Sequence, residues 1–151
     1  EGALNAAKDY TTLATRPWQT SGVDQASQDP YILQQYGELW ADLQAALALA
    51  DKAAEHIQIG WEKNTALTFE ERGEIAIAIA AAKATAIKAG LNITNQIFDV
   101  MGARATASRY GFDRYWRDLR TFSLHDPQAY KYKALGDWLL NQNFPTPSQY
   151  S

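Results

Sequence analysis

Residues 68–101 read TFEERGEIAIAIAAAKATAIKAGLNITNQIFDVM, and this stretch decides the fold class. It opens with a capping box, in which the Thr68 hydroxyl and the Glu71 carboxylate each satisfy an orphan amide at a helix start. Two apolar stripes follow at helical spacing, one beginning at Ile75 and the other at Ile77. A helix that is apolar on two faces must be covered on two sides, by neighbours in its own chain or in another copy.

Other helical segments lie on both sides of this long helix. Gly102 ends it, and Asp29-Pro30 opens an earlier helix by placing proline where its missing N–H is not needed. Asp126-Pro127 repeats that signature. No segment requires a strand, so the predicted fold is an all-α, up-and-down helical bundle. The further helices are predicted over residues 2–14, 30–61, 112–123 and 126–140. The apolar face predicted for the second helix comprises Ile32, Tyr36, Leu39, Leu43, Leu47, Ala50, Ala54, Ile57 and Trp61.

Composition excludes several functional classes. Fourteen Lys+Arg against 17 Asp+Glu give a net charge of −3, so no basic excess recruits nucleic acid or anionic lipid. Cysteine is absent, and His56 and His125 are too few for a three-histidine zinc site, so we expect no metal centre. No signal peptide is present and no apolar run approaches the roughly 18 residues of a membrane span, so we expect a cytoplasmic protein.

The length of 151 residues predicts one domain, residues 1–151. The first four residues, EGAL, already have helix-like composition and include no initiator methionine. We therefore expect this chain to be a piece of a longer protein.

His125 is a candidate for proton chemistry. It precedes the helix predicted to begin at Asp126-Pro127, and the positive end of that helix dipole would disfavour an imidazolium. A neutral imidazole offers one donor and one acceptor, which suits proton transfer near neutral pH. Asp126 opposes this effect, and the alternative is a histidine that only packs at a turn.

A second candidate feature is a group of arginines mixed with aromatic residues. Planar guanidinium groups bind phosphates bidentately, and Arg16-Pro17-Trp18 offers the same combination on a predicted loop. Such arginines also form intramolecular ion pairs, and Arg117-Asp118 is interpreted as one. The clustered arginines are Arg104, Arg109, Arg114, Arg117 and Arg120.

Some of these residues also resemble a known family. Residues 95–98, Asn-Gln-Ile-Phe, followed by Gly102 and later by Arg117-Asp118, resemble the C-terminal helical domain of acyl-CoA dehydrogenases. In that alignment the catalytic glutamate of the dehydrogenases falls on Asp126, next to Pro127. Because a proline-locked helix cap suits proton abstraction poorly, the resemblance leaves dehydrogenation open to question.

A further set of segments extends from the first helix to the last residues. These segments are Arg16-Pro17-Trp18, Ser21-Gly22-Val23-Asp24, Asp29-Pro30-Tyr31, Gly37-Glu38-Leu39, Gly102-Ala103-Arg104-Ala105-Thr106, Trp116-Arg117-Asp118-Leu119-Arg120-Thr121, Leu124-His125-Asp126-Pro127, Tyr130-Lys131-Tyr132 and Gly136-Asp137. Together they resemble one branch of that superfamily more specifically, the flavin-dependent monooxygenases similar to dibenzothiophene monooxygenase and the sulfur-acquisition oxidoreductases.

This resemblance implies a two-component enzyme, in which a reductase supplies reduced FMN and an organosulfur or aromatic substrate receives one oxygen atom. It implies that His125 faces the flavin and protonates or steadies the flavin hydroperoxide. Arg104 would hold the flavin phosphate, with Arg16 reaching it from an adjacent subunit and Trp18 packing nearby. The family's bundle builds a tetramer, whereas its upstream helical and β-barrel domains are absent here, so we expect this domain alone to be inactive.

Two alternatives to the monooxygenase remain open at this point. One is the C-terminal domain of an acyl-CoA dehydrogenase with tightly held FAD. The other is a helical oligomerisation module without catalytic function. The sequence does not separate FMN from FAD, because only one end of the cofactor would bind to this chain.

Overall fold

A computed structural model of the protein describes residues 1–150, and within them all regular structure is helical. The prediction of an all-α fold is therefore confirmed. Short 3-10 turns precede α2 and α3 and connect α3 to α4. The five helices are α1 (Gly2–Leu13), α2 (Pro30–Lys63), α3 (Phe69–Met101), α4 (Asp113–His125) and α5 (Gln128–Asn141).

Local sequence signals set both ends of α3. The Thr68 N–H donates to Glu71 Oε2 over 3.1 Å, and the Glu71 N–H donates to Thr68 Oγ1 over 3.2 Å, so the capping box is complete. At the other end Gly102 has φ +83°, in the region that favours glycine, and the helix stops at Met101. The predicted start and end of α3 are both confirmed.

The predicted start of α2 is also confirmed, because Asp29 Oδ1 accepts a 2.9 Å hydrogen bond from the Tyr31 N–H. The predicted apolar face of this helix is correct only in its first half. Beyond Leu43 the buried positions are small residues, Ala46, Ala53 and Gly60. The larger residues predicted to be buried there are exposed, namely Leu47, Ile57 and Trp61.

Close helix approach explains this choice of small residues. A Cβ atom built on Gly60 would lie 2.5 Å from Cδ1 of Ile75 on α3, so the two helices leave no room for a side chain at that position. Counting apolar residues at helical spacing does not reveal which neighbouring stripe faces a closely packed partner.

The chain divides into two compact units, which α2 and α3 both traverse. The first unit comprises residues 1–43 and 89–121, and its core combines large and small apolar residues, namely Ala3, Leu4, Ala7, Leu39, Leu43, Ile93, Ile97, Met101 and Ala105. The second unit comprises residues 44–88 and the chain from residue 122 onward. Its buried apolar residues are mainly alanines, at positions 46, 53, 76, 80, 82 and 84, with Ile77 and Ile87.

Beyond α5 the chain is extended, and the Phe144 ring contributes to anchoring it to the second unit. The Phe144 ring lies against Gly73, where a Cβ atom would come within 2.2 Å of the ring. Phe144 also makes an edge-to-face contact with Phe69, with ring centroids 6.3 Å apart. The absence of a side chain at Gly73 therefore creates the seat for Phe144.

Replacing Gly73 with alanine is expected to destabilise the chain by about 1–3 kcal/mol, because the added methyl group overpacks the seat of Phe144. The matched control is Gly136→Ala in α5, where a Cβ atom meets nothing within 4 Å. That control should stabilise the helix by up to about 1 kcal/mol, because alanine has the higher helix propensity. Urea unfolding of both variants measures the difference. Equal stability of the two variants would contradict the assigned role of Gly73.

Candidate functional site

His125 lies at the edge of a cavity of about 420 Å³ in the second unit. Its imidazole is exposed, and the Tyr150 ring lies edge-on to it with centroids 6.4 Å apart. Neither imidazole nitrogen has a hydrogen-bond partner within residues 1–150. The ring is therefore available to a ligand in the cavity. The remaining lining residues are Ala76, Ile79, Ala80, Asp126, Pro127, Tyr130, Lys131, Ala134, Pro145 and Ser148.

The helix boundaries around His125 differ from the prediction. The fourth helix was expected to end at Ser123, but α4 continues to His125, and α5 begins at Gln128 rather than at Asp126. Pro127, with φ −62° and ψ 131°, occupies the N-cap position. His125 thus belongs to the last turn of α4, and the dipole argument for a neutral imidazole, which required a helix start at that point, was wrong.

Asp126 does not cap α5 because two lysines bind its carboxylate. Lys131 Nζ lies 3.0 Å from Asp126 Oδ2, and Lys83 Nζ donates a hydrogen bond to the same oxygen. The three side chains are 10–20% exposed. Burial alone would raise the pKa of Asp126, but the hydrogen bonds from Lys83 and Lys131 outweigh it and lower that pKa. Asp126 is therefore a paired anion beside the candidate site.

Arg104 follows the break at Gly102, in the 3-10 turn Ala103–Thr106 of the first unit. Its side chain is exposed, and no carboxylate of the described chain pairs with it. Ala105, the next residue, is buried in the core and fixes the turn. The guanidinium of Arg104 is therefore free to bind an anionic ligand.

Arg16 and Trp18 lie on the loop after α1, also in the first unit. Arg16 is exposed without a carboxylate partner in residues 1–150, and Trp18 is 73% exposed. The Thr15 hydroxyl donates to the Met101 carbonyl over 3.0 Å, which joins this loop to the end of α3, three residues before Arg104. This hydrogen bond fixes the start of the loop that carries Arg16 and Trp18 against the end of α3.

Sequence reasoning missed one residue of this region, Tyr10. Its ring lies edge-on to Tyr110 with centroids 5.2 Å apart, and its buried hydroxyl has no hydrogen-bond partner in the described part of the chain. Tyr110 accepts a hydrogen bond from Arg109 Nη2 over 3.3 Å. That bond is the largest of the effects that lower the pKa of Tyr110. Tyr10 lies on α1, far from Tyr110 in the sequence, so no local motif signals this contact.

Two other sequence candidates, Arg117 and His56, have surroundings of their own. Arg117 pairs with Asp113, one turn earlier, over 3.0 Å, so the predicted pairing with Asp118 was wrong. Adjacent helical residues point in different directions, whereas residues four apart share a face. His56 is half-buried and lines a separate cavity of about 300 Å³ with Glu74 and Trp138.

Two kinds of feature are absent within residues 1–150. No group of three or more His, Cys, Asp or Glu side chains is arranged to hold a metal ion. None of the described helices combines the length and apolar character needed to cross a membrane.

Within residues 1–150 the structure is thus an all-helical domain with Arg16 and Arg104 unpaired in one unit and a cavity edged by His125 in the other. The chain belongs to the family described as "Acyl-CoA dehydrogenase, C-terminal domain", which it matches over residues 1–128. The family resemblance inferred from the sequence is thus confirmed.

Its relatives identify the branch of the family. The chain is 49% identical over 146 residues to the dibenzothiophene monooxygenase of Mycolicibacterium goodii, a match that covers 97% of this chain and 35% of that protein. It is 46% identical over 151 residues to the probable FMNH2-dependent monooxygenase SfnC of Pseudomonas putida, covering 100% of this chain and 38% of SfnC.

A solved structure gives the same result. The crystal structure of FMN-bound TdsC from Paenibacillus sp. A11-2 superposes with a TM-score of 0.95 at 46% identity. That match covers 99% of this chain and 38% of TdsC. This chain thus spans little more than a third of the length of these relatives.

Proposed function

We propose that this chain is the C-terminal flavin-binding and oligomerisation domain of a two-component monooxygenase. In this proposal a separate reductase supplies reduced FMN, and an organosulfur or aromatic compound is oxygenated. The similarity to FMN-bound TdsC over 99% of the chain carries the proposal. The description of SfnC as FMNH2-dependent supports the choice of FMN over FAD.

The proposal also includes an upstream helical domain and a β-barrel domain, which complete the flavin and substrate sites. Matched relatives about three times the length of this chain support it. Alone, this chain exposes its cavity and His125 to solvent, so it lacks the enclosure that protects a reactive flavin from water. Turnover therefore requires the full-length protein, which we place in the cytoplasm.

The residues of the first unit fit the phosphate end of FMN. Arg104 and Arg16 are exposed guanidinium groups without carboxylate partners in the described residues, which is the donor set that a phosphate requires. Trp18, largely exposed on the same loop as Arg16, would pack nearby, with Arg16 reaching the phosphate from an adjacent subunit. We assign these three residues to cofactor binding.

His125 is the proposed catalytic residue. When bound, reduced FMN supplies the electrons that activate molecular oxygen. The imidazole nitrogens of His125 have no protein partner among residues 1–150, so one can hold a proton and the other can accept one beside the reacting oxygen. The Tyr150 ring restricts the imidazole on one side.

The geometry argues against the dehydrogenase alternative. The family resemblance places the dehydrogenase base at Asp126, but two lysines bind that carboxylate here. Although burial opposes them, their hydrogen bonds lower the pKa of Asp126 and make it a weaker base. A carboxylate held in this way is unsuited to remove a proton from a carbon acid.

Exposed apolar side chains of the second unit support a homo-oligomer, which we propose is a tetramer. The second-unit part of α2 exposes Leu47, Ile57 and Trp61, and α5 exposes Leu139 and Leu140. Surface of this kind marks an interaction site. The sequence suggested α3 for this role, but most of its apolar residues are buried within the chain itself. The oligomerisation module is therefore part of this function rather than an alternative to it.

Oxygen uptake by the full-length protein tests the proposal. With reduced FMN from a reductase and an aromatic thioether such as dibenzothiophene, oxygen consumption should yield an S-oxygenated product. Tightly held FAD that is bleached by an acyl-CoA would instead identify a dehydrogenase and overturn the proposal. Absence of any flavin binding would leave only the oligomerisation module.

Substituting Arg104 with alanine is expected to weaken FMN binding by about 10- to 100-fold, because a charge-assisted hydrogen bond to the phosphate is lost. Riboflavin, which has no phosphate, should bind wild type and variant equally. Flavin fluorescence titration of the full-length protein measures both ligands. Arg117→Ala serves as the matched control, since Arg117 is already paired with Asp113. Equal weakening of riboflavin binding would show that Arg104 does not contact the phosphate.

A further inference from the structure

Lys131 links the two groups that flank His125. Its side chain is only 10% exposed, and its Nζ contacts Asp126 Oδ2 at 3.0 Å and also donates to the backbone carbonyl of Tyr150. Asp126 is the residue directly after His125, and the Tyr150 ring lies against the imidazole. One ammonium group on α5 therefore ties both neighbours of the candidate catalytic ring together.

Lys83 on α3 makes a second connection to the same region. Its Nζ donates to the same oxygen of Asp126 and lies 5.3 Å from the centroid of the Phe122 ring. Phe122 lies on α4, three residues before His125, so Lys83 contacts the chain on both sides of the imidazole. Two elements, α3 and α5, thus hold the end of α4.

The Lys83–Asp126–Lys131 cluster is not an efficient way to stabilise the fold. Two ammonium groups share one carboxylate in a site that is 10–20% exposed, which leaves one positive charge in excess. Burying charges carries a desolvation penalty that often exceeds the gain from pairing them, and packed apolar residues commonly stabilise such a site equally well. What the ionic cluster does provide is short, directional hydrogen bonds that fix the Asp126 side chain, next to His125 in the chain.

We propose that Lys83 and Lys131 are positioning residues that fix the His125 imidazole through Asp126, Phe122 and Tyr150. This inference rests on the catalytic role proposed for His125. The contacts described for both ammonium groups are with protein groups. In this proposal the lysines therefore affect the reaction only through the position of the His125 imidazole. A displacement of about 1 Å in a catalytic group can lower a rate by roughly 100-fold.

The test is a double-mutant cycle in the full-length protein, with oxygenated product per oxygen consumed as the readout. Lys131→Met should lower this coupling by roughly 10- to 100-fold while FMN affinity stays unchanged. Lys131→Arg, which keeps the charge and the donors, should restore most of the coupling. In a His125→Ala background, Lys131→Met should cause no further loss. Lys133→Met, on the exposed side of α5, is the matched control and should remain coupled.

A thermal unfolding scan checks that each variant is folded. If Lys131→Met fails to fold, Lys83→Met replaces it in the cycle, because Lys131 then still compensates Asp126. If His125→Ala remains coupled, the catalytic role of His125 fails and the lysines have no ring to position. If His125→Ala uncouples the enzyme and neither lysine variant does, the positioning inference fails while the proposed function stands. A further loss on adding the lysine change to His125→Ala also overturns the inference.

Discussion

In the full-length protein, His125→Ala is expected to lower the yield of oxygenated product per oxygen consumed by about 100-fold, with the missing oxygen recovered as hydrogen peroxide. The reason is that oxygen still reacts with reduced FMN, whereas the proton that the imidazole would hold beside the substrate is lost. Because the binding groups assigned to FMN lie in the other unit, flavin affinity should change little. Simultaneous measurement of oxygen uptake, peroxide and product tests this expectation.

His56 provides the matched control for this experiment. It is the other histidine of the chain and lines a separate cavity in the same unit. His56→Ala should keep wild-type coupling, which separates loss of the specific imidazole from a general effect of histidine removal. Wild-type coupling in His125→Ala would remove His125 from the mechanism, even if the protein proves to be a monooxygenase.

The second large effect is expected on stability. Asp126→Asn should destabilise the chain by about 3–5 kcal/mol, because it leaves two largely buried ammonium groups without a counter-charge. A helix N-cap, the role predicted from the sequence, would tolerate asparagine, so the size of the loss distinguishes the two roles. Urea unfolding measures it. The control is Asp113→Asn, which breaks an ion pair with both partners at least 60% exposed and should cost about 0–1 kcal/mol.

The same carboxylate gives an expected pH dependence. Lysine hydrogen bonds, which outweigh the opposing effect of burial, lower the pKa of Asp126 in the folded chain. Its contribution is therefore complete above the unfolded pKa of about 3.9 and is lost as pH falls through the lower folded value. Wild type should lose this stability in acid below about pH 4, whereas Asp126→Asn should lack that component of the transition. Parallel acid unfolding curves would contradict the assignment.

Features set by neighbouring residues could be predicted from the sequence. The Thr68–Glu71 capping box, the Asp29 cap and the break at Gly102 depend on contacts within a few residues, and all three are present. Helix type and approximate bounds follow from these signals together with apolar spacing. The family motifs also identified the correct branch of the superfamily, because they are spread along the whole chain.

Features set by distant residues could not be predicted. Asp126-Pro127 has the same local sequence pattern as Asp29-Pro30. However, the Asp126 carboxylate is paired with Lys83, 43 positions earlier, and therefore does not cap a helix. The buried stripe of α2 shifts to Ala46, Ala53 and Gly60 because α3 approaches closely. In each case a tertiary partner decides between local structures that the sequence permits equally.

The extended chain after α5 also bears on how such proteins diverge. Three residues that line the His125 cavity, Pro145, Ser148 and Tyr150, lie on this segment, which belongs to no helix. Loops tolerate sequence change better than the framework that carries them. Sequence change in these last few residues can therefore reshape the cavity while the helical scaffold is inherited unchanged. A chimera that exchanges residues 145–150 for the corresponding residues of a relative, behind the retained Phe144 anchor, changes the cavity lining in one step.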